Sequence, residues 1–191
     1  QQAARVLDKM AADYRFRAVT LMRLIMRWIL SSLFQEVFLD ESGLQSVQQA
    51  VQEARCPVVY IPTHKSHVDY LLLSYVLFAR DMVVPCIAAG DNLAKLLGIA
   101  WVFRMCGAFY IRRTFGSDVL YKEIFREYVT VLLEEGFDLE FFIEGGRSRN
   151  GKIGQARLGL LGVAVDAVLS GRVPDLIVAP ISMQYDRVVE G

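Results

Sequence analysis

From Val58 onward the chain alternates short, almost continuously apolar runs with longer segments of helical period. Five runs read as strands: 58–61, 83–88, 108–111, 139–143 and 176–183. Four segments between them read as helices: 68–79, 92–105, 118–135 and 156–169. Ser117 is the expected N-cap of the third helix, while Gly136 and Gly171 stand where helix ends favour glycine. Strands that are apolar at consecutive positions are buried on both faces, as in a parallel sheet. The pattern therefore predicts an α/β fold, a mostly parallel central sheet flanked by helices on both faces, with an N-terminal helical segment.

Upstream the pattern changes. Residues 3–39 read as one long helix or two, and 43–55 as a polar helix with Leu44, Val47 and Val51 on one side. The chain is thus expected to divide into a helical segment, 1–57, and an α/β domain, 58–191. Between Val19 and Phe38 apolar residues cover most of the helix circumference, interrupted by Arg23 and Arg27. Two central arginines count against a spanning helix. An apolar helix with basic margins suits a membrane interface. The same residues also suit a helix packed on the domain with its arginines in water.

Composition narrows the classes. The 191 residues suffice for one domain with a sizeable core. Lys plus Arg and Asp plus Glu balance at 21 each, which disfavours nucleic-acid binding through bulk positive charge. Cys56, Cys86 and Cys106 are scattered beside apolar residues and fit core positions in a reducing compartment. Because the chain opens on Gln1 and stops just after a strand-like run, it is expected to be part of a longer protein, its domain cut at the C-terminal end.

The chemistry concentrates at 64–69, His-Lys-Ser-His-Val-Asp, where the first strand hands over to a helix. Both histidines of the chain are here. A neutral imidazole takes a proton from a hydroxyl at neutral pH, and a carboxylate on its other nitrogen fixes the tautomer. With His64 in the loop and Asp69 in the first helical turn, the two side chains can meet. The structural alternative is that Asp69 favours a helix N-terminus and His64 closes a strand end. A metal set of His64, His67 and Asp69 is disfavoured, since the spacing is not that of histidines one helical turn apart.

Two basic loops follow later strands. Gly107 to Arg113 ends in the pair Arg112 and Arg113, and Phe141 to Lys152 runs through Glu144, Gly145, Gly146, Arg147, Ser148 and Arg149. Guanidinium groups bind phosphate bidentately, and glycines let backbone N–H groups approach an anion. The second loop lacks the endings of nucleotide-binding loops, so it points to a phosphate rather than a nucleotide. Each loop alone also reads as a solvated surface turn.

Together these residues resemble the glycerolipid acyltransferases. His64 to Asp69 is similar to that family's H-x4-D block, Gly107 to Arg113 to its second, Phe142 to Ser148 to its third, and Val178 to Ile181 with Tyr185 to its fourth. Lys65 stands where the usual residue is arginine, and Gly146 where many relatives have threonine. Within the family the chain looks most like glycerol-3-phosphate acyltransferases of the bacterial and mitochondrial type, with dihydroxyacetone-phosphate acyltransferases close behind. The resemblance implies transfer of an acyl group from acyl-CoA or acyl carrier protein to glycerol 3-phosphate, with no cofactor, metal or acyl-enzyme. It implies His64 as base, Asp69 as its partner, and backbone N–H groups near Gly145 for the oxyanion. Glu144 and Gly145 would shape the third loop, and Arg112, Arg113, Arg147, Ser148 and Arg149 would hold the phosphate. Pro180 and its strand would border the donor. A membrane surface facing a reducing compartment is the implied location: mitochondrial outer membrane, peroxisome or bacterial inner membrane. An acyl thioester hydrolase and a non-catalytic lipid-binding module are the rival classes.

Overall fold

The computed structural model describes residues 1–95, 98–112 and 114–186. Five strands form one sheet: β1 (Val58–Pro62), β2 (Cys86–Gly90), β3 (Ala108–Ile111), β4 (Leu139–Glu140) and β5 (Ile177–Ile181). Their order is β3-β2-β4-β1-β5, and every pairing is parallel. Seven α-helices accompany it: α1 (Gln2–Met10), α2 (Phe16–Leu33), α3 (Glu41–Ala54), α4 (Asp69–Ala79), α5 (Ile99–Met105), α6 (Val119–Glu134) and α7 (Gly159–Leu169).

Alternation along β1 explains the layering. Val59 points into the larger core with Phe125, Val129, Leu133 and Val163, so α6 and α7 cover that face. Val58 and Tyr60 point the other way, onto Leu73 and Leu77 of α4, with Val47 and Val51 of α3 behind them. The sheet is thus buried on both sides, as its apolar strands require. Met10 of α1 is 1% exposed and belongs to the larger core, so the N-terminal helices pack with the sheet.

Several boundaries differ from the sequence expectation. Residues 3–39 form two helices with extended backbone between them. The expected helix over 92–105 is a 3-10 turn, Leu93–Lys95, followed by α5, with Gly98 at φ +82° before it. The N-cap of α6 is Asp118, not Ser117, since the Asp118 carboxylate accepts from Tyr121 N at 3.0 Å. β2 begins only at Cys86, after Pro85, and β4 keeps two of the five expected residues. Gly136 and Gly171 do follow helix ends at φ +79° and +75°.

Candidate active site

In a parallel sheet every strand delivers its carboxyl end to the same edge, and here that edge gathers the polar loops. His64 follows β1, Arg112 follows β3, Glu144 follows β4 and Tyr185 follows β5. The first of these carries the pair. His64 Nδ1 lies 3.0 Å from Asp69 Oδ2, and Asp69 is wholly buried. The same Oδ2 accepts from Lys65 N at 2.7 Å and Ser66 N at 2.9 Å, which curls the loop around the carboxylate. Tyr185 donates its hydroxyl to Oδ1 from across the sheet. Burial works to raise the Asp69 pKa, but these bonds, led by His64 and Tyr185, hold it below the ordinary value.

His64 is held by three further contacts, one at its ring and two at its backbone. Its ring stacks on Phe142, centroids 3.9 Å apart. His64 N donates to Glu144 Oε1 at 2.9 Å, and His64 O accepts from Ser148 N at 2.8 Å. Glu144 is 8% exposed, and its second oxygen accepts from Gly154 N at 2.7 Å. One carboxylate therefore ties the His64 loop to both limbs of the glycine-rich loop. Gly145 has φ +65°, where glycine is favoured, and its N–H donates to Phe142 O, so this N–H is not open to an oxyanion.

His64 opens on a cavity of about 910 Å³. Its walls come from α2 and α4 through Met22, Met26, Leu71 and Phe78, with Phe103 and Phe142 beyond. Arg112, Arg147, Arg149 and Arg157 also line it. Ser148 does not: it lines a smaller neighbouring pocket of about 360 Å³ with Glu144 and Lys152, and its hydroxyl donates to Asn150. Arg112 is engaged by Asp118 at 2.7 Å and lies over the Tyr121 ring. Arg113 lies outside the described residues. The structure thus brings His64, Arg112, Arg147 and Arg149 around one space, with Asp69 buried behind His64 and Glu144 and Gly145 bracing the loop.

The arrangement suits proton abstraction by an oriented imidazole beside an apolar chamber with a cationic rim. A cysteine nucleophile fits poorly, because burial pushes Cys86 up to about 12 and Cys106 to about 11. The sequence reading assigned no role to Tyr185, Phe142 or Arg157. Tyr185 had a signal in the fourth block, but its partner is 116 residues away.

A family model described as Acyltransferase matches residues 39–184. The chain is 38% identical over 191 residues to the dihydroxyacetone phosphate acyltransferase of Bos taurus, covering 100% of this chain and 28% of that protein. It is also 38% identical over 190 residues to the glycerol-3-phosphate acyltransferase of Pasteurella multocida (strain Pm70), covering 100% of this chain and 23% of that one. It therefore spans about a quarter of the length of these curated relatives. Among solved structures, the 1-acyl-sn-glycerophosphate (LPA) acyltransferase PlsC of Thermotoga maritima aligns with a TM-score of 0.43 and 16% identity, over 77% of this chain and 69% of that one. Since the family model runs over well more than half of the chain, His64–Asp69 pair and glycine-rich loop included, the chain belongs to the acyltransferase family.

Proposed function

We propose that this chain is the catalytic part of an enzyme that moves a fatty acyl group from an acyl thioester to the sn-1 hydroxyl of glycerol 3-phosphate. The observation that carries the reading is the His64–Asp69 pair opening on an apolar cavity rimmed by arginines. With Nδ1 on Asp69, Nε2 is the nitrogen left to take a proton. It takes the acceptor hydroxyl proton as the oxygen attacks the thioester carbonyl. Collapse of the tetrahedral intermediate breaks the C–S bond, and the imidazolium returns its proton to the thiolate. Asp69, ionised throughout, stabilises the imidazolium between the two steps. The acyl chain lies along the apolar walls, and Arg147 and Arg149 hold the acceptor phosphate.

Dihydroxyacetone phosphate is the second acceptor, favoured by the equal 38% identity to relatives of both names. The site also works at a membrane surface on this reading. α2 exposes Leu21, Leu24 and Trp28, the last at 72%, beside exposed Arg17 and Arg27. The deciding assay gives the full chain palmitoyl-CoA with glycerol 3-phosphate, dihydroxyacetone phosphate or neither. Acceptor-dependent formation of the acyl ester is expected, faster with glycerol 3-phosphate. Thioester loss at the same rate without acceptor would make the protein a hydrolase, and binding with no turnover would make it a lipid-binding module.

A further inference from the structure

Arg157 belongs to neither basic loop; it sits on the stretch that returns toward α7. Its backbone N–H donates to Ile143 O at 2.7 Å, which fixes this stretch beside the end of β4. From there the side chain crosses the face of Gly145. A Cβ on Gly145 would stand 2.7 Å from Arg157 Cδ and 3.1 Å from Nε, so it would push this side chain from its place. Gly145 is thus favoured as glycine by its φ, and its missing Cβ leaves room for the arginine laid over it.

Arg157 so placed lines the cavity that His64 and Arg149 also line. Of the arginines that line this cavity, Arg112 is engaged by a carboxylate, Asp118. Arg157 has no such partner among the described residues. Glu144, the loop's own carboxylate, has both oxygens taken by backbone N–H groups. An arginine that lines a cavity without a carboxylate partner among the described residues can take an anion from outside the chain.

We propose that Arg157 binds the acceptor phosphate jointly with Arg149, and that Gly145 is glycine so that this side chain reaches the cavity. The proposal rests on the acyl-transfer reading and adds a residue to it. The ligand chemistry is a phosphate monoester, which an acceptor and a coenzyme A donor both carry, so the test varies each in turn. In the full chain, Arg157→Ala should raise the KM for glycerol 3-phosphate roughly ten- to a hundredfold, as the loss of a charge-assisted bond implies. The KM for palmitoyl-CoA should stay within about twofold, which also shows an intact site. Arg157→Lys should recover part of the loss, since a point charge lacks the fork. Arg149→Ala should behave like Arg157→Ala, and the double variant should lose less than the product of the single losses, because both groups hold one dianion.

A loss confined to palmitoyl-CoA overturns the assignment and moves Arg157 to the donor. Unchanged KM values for both substrates overturn it as well. Unmodified protein that acylates neither glycerol 3-phosphate nor dihydroxyacetone phosphate overturns the acyl-transfer reading itself, a result visible before any variant is made.

Discussion

Asp69 accepts four hydrogen bonds, from Lys65 N, Ser66 N, the His64 ring and the Tyr185 hydroxyl, and all four need an acceptor. Asp69→Asn would turn an amide's N–H donors toward some of those donors and favour the wrong imidazole tautomer. A kcat loss in the range of about 10²–10⁴ is expected, as for His64→Ala, with the fold retained in the latter. Near-normal turnover in folded His64→Ala would end the base assignment. Tyr185→Phe is subtler. A bond to a charged group contributes about 1.5–3 kcal/mol, and its loss lets the Asp69 pKa rise. A depressed carboxylate pKa gives stability that is present above the unfolded value and lost as pH falls through the folded one. Tyr185→Phe should therefore be less stable near neutral pH and lose less on acidification, so that its urea midpoint approaches that of the unmodified protein as pH falls from 5 to 2. His64 and Asp69 were legible in the sequence because their partnership is local, five residues apart. Tyr185 and Arg157 were not, because only sheet closure and the return from the glycine-rich loop bring them in.

At the level of elements, the strands were legible by their apolar runs, and their ends were not. The apolar run continues past Glu140, but the chain leaves the sheet there because Phe142 O accepts from Gly145 N in a turn and Glu144 must reach His64 N. Helix period likewise continues through 92–105, where Gly98 at φ +82° interrupts it. α2 shows why its two sequence readings were hard to separate. Val19, Met26 and Leu30 are buried, while Phe16, Leu21, Leu24 and Trp28 are more than half exposed. No helix of the described residues is long and apolar enough to cross a membrane. The outer face should instead bind anionic vesicles, more weakly as salt rises. Trp28→Ala should weaken flotation of the full chain about tenfold, the loss of one large buried side chain, without changing its unfolding midpoint. Met26→Ala should do the reverse, lowering stability and leaving vesicle binding. Protein that ignores anionic vesicles at low salt would leave α2 a packing helix alone.

For the molecule as a whole, β4 sets the relation between stability and pH. It lies between β2 and β1, and Glu140 on it is wholly buried with neither carboxylate oxygen hydrogen-bonded among the described residues. Tyr60, its register partner on β1, likewise has a buried hydroxyl without a partner. Burial, with the nearby Asp69 charge second, raises the Glu140 pKa well above its ordinary value, so the folded protein holds this proton to a higher pH than the unfolded chain does. The unfolded chain releases it above about pH 4.3. Because the folded state then holds the extra proton, stability falls as pH rises, at up to about 1.4 kcal/mol per pH unit from this group. Asp138, pushed up to about 6 by burial, adds the same sign only between its unfolded and folded values. Glu140→Gln has no proton to lose, so its unfolding free energy should exceed the unmodified protein's by a margin that grows as pH rises above about 5, and the two should converge near pH 4. Urea denaturation of both proteins across that range measures the difference directly. Parallel curves would mean that Glu140 is ionised in the folded protein, and the proton assigned to it would have to be given up.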